Sequence, residues 1–233
     1  MERTIISLDY AIKNILREKA NFDVLSGFLT ELLEKPVEVL ETLESEGNVF
    51  ARDDKINRLD LKAKIDSAKI DSGEIAVFEI QFFDQIDFLG KVLFNACKAV
   101  VEQVAGGELY DIKKVFSINI AYFDAIAKGV QKEYVFRANL TQFTGVHFDE
   151  HIPFSQNLSP HLPANELHPE YFIILPNKFD EQMRGKFDEW VYTLKKSVVR
   201  SDFTAAGLQA AAEKLDVLKM TPEERAEYER VIA

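Results

Sequence analysis

Two carboxylates and an amide, Asp60, Glu79 and Gln81, stand within the stretch INRLDLKAKIDSAKIDSGEIAVFEIQFF. Leu59, Leu61, Ala63 and Ile65 alternate with Asp60, Lys62, Lys64 and Asp66, a spacing that predicts a strand with one polar face. The turn-forming IDSG follows, and EIAVFEIQFF, rich in β-branched and aromatic residues, returns as a second strand. Successive strand side chains leave on opposite faces, so Glu79 and Gln81 share one face and Phe78 and Ile80 the other. Such a hairpin holds Asp60 and Glu79 on adjoining strands. Hard carboxylate oxygens suit Mg²⁺, an ion that polarises a phosphate ester and lowers the pKa of an attacking water. The carbonyl of Ile80 offers a further oxygen, and Gln81 stands where a side chain orients water or touches the scissile phosphate. An amide is no useful proton acceptor, so the base must be metal-bound hydroxide, another water or the substrate phosphate. The ordinary alternative is a solvated strand face on which these carboxylates pair with Lys62 and Lys64.

The flanking sequence must supply the elements that position this hairpin. From residue 8 to 34, Ile12, Ile15, Leu16, Phe22, Leu25, Phe28, Leu29, Leu32 and Leu33 recur at helical spacing with a break near Ala20-Asn21, so two consecutive helices are expected. Pro36 ends the second, and VEVLETLES leads through polar residues towards Asp60. Residues 84–106 predict a long helix with Phe88, Val92, Leu93, Ala96, Val100 and Val104 on or near one face, stopped by Gly106-Gly107. Cys97, within its apolar run, is expected to be buried. KKVFSINIAYFD reads as an interior strand, and the order strand, strand, helix, strand points to a mixed α/β sheet. EYVFRANLTQF and HPEYFIILPNKF read as later strands. EQMRGKFDEWVYTLKKS reads as a helix packing Phe187, Trp190 and Leu194 on the sheet. Two short helices follow, the last capped by Thr221 with Pro222 at its first position. The expected division is a main domain over 1–200 and a helical C-terminal extension over 201–233.

A chain of 233 residues with eighteen Phe and one Trp is a folded protein with a substantial core. Its net charge of -11 argues against broad, nonspecific attraction to nucleic acid and leaves room for a local basic groove. The single cysteine allows no intrachain disulfide, in keeping with a reducing compartment. MERTIISLDYAIKNIL lacks the apolar run of a signal peptide, and no segment has the length and apolarity of a membrane span. A cytoplasmic protein with no membrane partner is expected. His147, His151, His161 and His168 read as loop histidines rather than zinc ligands, and Ser117 as a strand residue without a nucleophile elbow. Arg184, Lys186, Lys195, Lys196 and Arg200 form the clearest basic patch, a DNA-backbone contact or a solvated helix face.

The run LDLKAKIDSAKIDSGEIAVFEIQFF, preceded by FDVLSGFLTELL and followed by FLGKVLFNACKAVVEQVAGGELYDIKKVFSINI, resembles the PD-(D/E)XK nuclease-family transposases, also described as recombination-promoting nucleases. The likeness extends from about Asp9 to Trp190. It implies a restriction-endonuclease-like α/β fold, a mixed sheet flanked by helices. It also implies Mg²⁺-dependent DNA cleavage associated with mobile elements or recombination, with Mn²⁺ the alternative ion. Asp60 and Glu79 would then be metal ligands, and Gln81 would hold the place that lysine more often takes. The helix after the active-site strand usually carries an arginine followed by tyrosines. Here it has Lys91, Phe94 and Asn95, and Lys91 keeps the charge without arginine's two-pronged phosphate contact. Lys64 and Lys91 are the expected phosphate contacts, Lys13 is a more distant candidate for phosphate, and Glu31 is a more distant candidate to approach the metal from the preceding helix. DNA is the expected partner, and a homodimer is compatible with the reading. The alternative is a noncatalytic domain that keeps the nuclease scaffold for protein or nucleic-acid interaction.

Overall fold

The computed structural model describes residues 5–7, 10–12, 15–43, 61–67, 73–82, 87–104, 112–124, 133–139, 143–144, 151–152, 168–216 and 220–232. Among these, β1 (Glu38–Leu43), β2 (Leu61–Asp66), β3 (Glu74–Gln81), β4 (Val115–Ala121), β5 (Val135–Ala138) and a later strand, β8 (Glu170–Ile174), form one sheet. The two-residue strands β6 (Phe143–Thr144) and β7 (His151–Ile152) pair only with each other. The large sheet runs β1-β2-β3-β4-β8-β5. The β2–β3 hairpin is antiparallel, with Leu61 opposite Phe78, Lys62 opposite Val77 and Lys64 opposite Ile75. β3, β4 and β8 are parallel neighbours, and β1 and β5 close the two edges antiparallel. A parallel pair needs a long crossover, which α2 (Phe88–Val101) supplies between β3 and β4. The fold is the mixed α/β sheet flanked by helices that the strand, strand, helix, strand order implied. Every residue of β4 is buried, as an interior strand requires.

Two elements depart from the sequence expectation. EVLETL, read as part of a connection, forms β1, with Val39 and the preceding Val37 buried; a bulge between Val39 and Glu41 shifts the register and leaves Leu40 exposed, which breaks the alternation. Ahead of α1 (Phe22–Leu33), residues 15–21 form turns and a 3-10 segment rather than a regular helix. Asn21 donates its side-chain amide to the Ile15 carbonyl at 3.1 Å, a local bond that competes with helix geometry.

The main core lies between the sheet, α1 and α3 (Lys186–Lys196). Phe28 of α1 meets Phe78 of β3, Phe187 and Trp190 of α3, with ring centroids 6.1, 5.5 and 5.4 Å away. Residues after 201 enter this core through Leu208 and Ala211 of α4 (Leu208–Lys214), Leu215, and Tyr228 of α5 (Pro222–Ile232). The Ile6 amide donates to the Leu215 carbonyl at 2.7 Å, and the Ser7 amide to the Tyr228 hydroxyl at 3.0 Å. Gly207, at φ +79°, lies against Gly27 of α1, where an added Cβ would come within 2.4 Å of the Ala206 carbonyl oxygen and the Gly207 backbone.

α2 packs Phe88, Val92, Ala96 and Ala99 towards the sheet. Leu93, expected on the inner face, is 54% exposed, and Cys97, expected to be buried, is exposed. The helical repeat explains both: the stripe through 88, 92, 95, 96 and 99 faces the sheet, which turns 89, 93, 97 and 101 to the opposite side. Among the described residues no helix is long and apolar enough to cross a membrane.

Candidate active site

Glu79 lies on β3, between β2 and β4, with its side chain towards α2 and only 5% exposed. A carboxylate buried this far is costly unless its oxygens are paired. Lys91 donates from Nζ to Glu79 Oε1 at 2.5 Å, and Asn95 from Nδ2 to Oε2 at 3.2 Å. Lys91 and Asn95 are one turn apart on the same side of α2, so a single helix face grips both oxygens. Lys91 is 15% exposed and keeps contact with solvent. Asn95 is buried, and its Oδ1 has no hydrogen-bond partner.

Gln81, two residues further along β3, shares the Glu79 side and is half-buried at the carboxyl end of the strand. In the parallel register Glu79 stands beside Asn119 and Gln81 beside Ala121. The Asn119 amide donates to the Ser117 carbonyl at 3.1 Å, the Ser117 hydroxyl at 3.0 Å and the Phe172 carbonyl at 3.1 Å, tying β4 to β8 behind the carboxylate. Ser117 is therefore an internal acceptor of this network.

The polar layer continues along α2. Lys62, opposite Val77 and buried, donates to Glu102 Oε2 at 2.6 Å, with Lys98 3.8 Å from the same carboxylate. Lys91, Asn95, Lys98 and Glu102 thus make a polar stripe directed at the sheet. Their spacing of four, three and four is the sequence signal that would have revealed it.

The sequence-derived candidates fall in different places. Glu79, Gln81 and Lys91 come together. Asp60 lies outside the described residues; the residue after it, Leu61, is paired with Phe78, the neighbour of Glu79. Lys64 sits opposite Ile75, four residues before Glu79 and roughly 13 Å away along the strand, with its ammonium 3.6 Å from Glu41. Glu31 accepts the Ala206 amide at 2.8 Å and so braces the turn before α4. Asp9, Lys13, Gly106, Gly107, His147 and His161 lie outside the described residues.

Arg184, Lys195, Lys196 and Arg200 of the basic patch near α3 are paired with carboxylates. Arg184 pairs with Asp180, Lys195 and Lys196 with Glu181 at 3.1 and 2.7 Å, and Arg200 with Asp202 at 2.6 Å. Hydrogen bonds from Arg184 hold the Asp180 carboxyl below its ordinary range, and those from Lys196 and Lys195 do the same for Glu181. A DNA backbone would have to compete with these partners.

Glu79 supplies a hard carboxylate, and beside it the Oδ1 of Asn95 is buried without a hydrogen-bond partner, oxygen chemistry of the kind a hard divalent cation takes. Among the described residues no group of three or more His, Cys, Asp and Glu side chains could hold a metal ion. A set of three such side chains would therefore have to draw on residues outside them. A family model for PD-(D/E)XK nuclease family transposases matches residues 6–232. No curated protein and no solved structure matches the chain.

Proposed function

The chain belongs to the PD-(D/E)XK nuclease family transposases, a family of nucleases related to mobile elements, and from that premise we propose that it is a Mg²⁺-dependent DNA endonuclease, with Mn²⁺ the alternative ion. The observation that carries the reading is Glu79: a carboxylate on an interior strand, fixed by Lys91 and Asn95, two residues before Gln81 at the carboxyl end. The carboxyl ends of parallel strands are where open α/β sheets place their ligands.

Glu79 and Asp60 would hold the ion, which when bound supplies Lewis-acid stabilisation of phosphate charge and a more acidic water. The remaining roles belong to the chain. Asn95 fixes the rotation of the Glu79 carboxylate by bonding one oxygen. Lys91 supplies positive charge at the other and, through its partial exposure, offers an ammonium donor to a non-bridging phosphate oxygen. Gln81 donates from its amide to water or phosphate and takes no proton, so the proton of the attacking water leaves to solvent or to the phosphate. Lys64 serves as a backbone contact further along the hairpin.

The test is cleavage of plasmid and linear DNA by the purified protein across Mg²⁺ and Mn²⁺, beside folded Asp60→Ala and Glu79→Ala variants. Cleavage by the parent that is lost in both variants is the expected result. Unchanged cleavage by either variant overturns that residue's assignment. One observation favours a second reading: Lys91 already neutralises Glu79 from within the fold, as an internal pair does in a noncatalytic scaffold. No cleavage by the parent in either metal selects that reading.

A further inference from the structure

α2 reverses the usual order of a surface helix. Its polar residues Lys91, Asn95, Lys98 and Glu102 point at the sheet with side chains 15% exposed or less. Away from the sheet it carries Leu89, Leu93, Phe94 and Val101, exposed by 67, 54, 51 and 68%, with Gly90 and Cys97 exposed among them. At 3.6 residues per turn these six positions fall in one arc of about 140° that holds no charge. In a chain of which 29% is charged, an apolar helix face of this width is ordinarily buried against a partner. The four large side chains together expose roughly 450 Å², about half of what each partner buries in an interface of standard size. The arc is thus large enough to be the apolar centre of such an interface.

Charge and shape select the occupant. DNA is held by cations, and the arc has none. A second copy of the chain carries the same net charge of -11 and is repelled wherever charged surfaces meet, so an uncharged patch is where two copies can join. A two-fold interface must also be complementary to itself. Gly90, Phe94, Cys97 and Val101 follow the four, three, four spacing of a helix–helix seam. Run antiparallel about an axis between Phe94 and Cys97, this seam sets Phe94 of one copy against Cys97 of the other, and Val101 against Gly90. Large side chains then meet small ones, as interdigitated packing requires. Nothing stands within 4 Å of where a Cβ would lie at Gly90, which leaves room for the incoming valine.

We propose that the outer face of α2 is the contact surface of a homodimer in which the two α2 helices run antiparallel across a two-fold axis. Lys91 and Asn95, which hold Glu79, face the other way, so the contact leaves that grip intact and stands independently of the nuclease reading.

The test is sedimentation velocity of the full chain from about 1 to 100 μM, with and without added salt. The parent is expected to pass reversibly from monomer to dimer, and to do so more readily as salt screens the repulsion between copies. Leu93→Lys and Val101→Lys, at exposed positions in the middle and at the end of α2, are each expected to weaken the dimer at least about tenfold while the circular dichroism stays that of the parent. Cys97 is the single cysteine, so a short bismaleimide reagent joins two copies only through it. Crosslinked dimer is expected for the parent and not for Leu93→Lys. A parent that stays monomeric throughout overturns the proposal, as does a dimer that either lysine variant retains, that salt dissolves or that fails to crosslink. A monomeric parent that co-sediments with vesicles of phosphatidylcholine and phosphatidylglycerol would assign the face to a lipid surface instead.

Discussion

Towards α1 and α3, β3 presents Ala76, Phe78 and Ile80, which join the rings of Phe28 and Trp190 in a continuous apolar core. Towards α2 the same strand presents Ile75, Val77, Glu79 and Gln81, and the helix answers with Lys91, Asn95, Lys98 and Glu102 between its apolar contacts. One side gains stability from area removed from water and from ring geometry. The other places charges where desolvation opposes them, and its helix turns Leu89, Leu93, Phe94 and Val101 outward. The same strand thus supports stability on one side and a held carboxylate on the other.

If that division is right, the largest loss of stability comes from the apolar side. Trp190→Ala removes a fully buried ring and its donor to the Ala206 carbonyl, and is expected to cost about 3–5 kcal/mol in chemical denaturation. On the polar side, Glu79→Ala leaves Lys91 and Asn95 without that carboxylate and is expected to cost about 1–3 kcal/mol. The double variant Glu79→Leu with Lys91→Met then separates structure from chemistry: it is expected to recover the parent's stability or exceed it while DNA cleavage stays absent. A double variant as unstable as Glu79→Ala would show that the pair holds the fold. Smaller still is the outer face of α2, where Leu93→Lys is expected to change stability by no more than about 0.5 kcal/mol, read from the same denaturation curves.

The smallest effect is one of pH. Glu181 has a folded carboxyl held below its ordinary range by Lys196 and Lys195, so the unfolded chain binds its proton first as pH falls. Its contribution is complete above the ordinary carboxylate range and disappears as pH drops through the depressed value. The thermal midpoint of Glu181→Gln should therefore lie slightly below the parent's at neutral pH and converge with it in acid. An offset that persists in acid would mean that the charge is not responsible.

What the sequence disclosed follows the same division. The shared face of Glu79 and Gln81, the hairpin and the interior β4 were legible because a two-residue alternation and β-branched composition are local signals. β1 was not, because the bulge after Val39 breaks the alternation on which such a reading depends. The orientation of α2 was not, because apolar residues occur on both sides of that helix. Its inner stripe is chosen by partners distant in sequence, Glu79 for Lys91 and Lys62 for Glu102. Asn119 was passed over for the same reason: its role depends on Phe172, 53 positions away.

The Ser7 amide and the Tyr228 hydroxyl are joined across 221 positions of sequence. During synthesis Ser7 leaves the ribosome long before Tyr228, the side chain that seals it, exists. Ile5 and Ile6 stay without their final cover until α4, Leu215 and α5 have emerged, so this part of the core closes last. Residues 5–7 are translated well before their cover, and until it arrives they are open to chaperones and proteases.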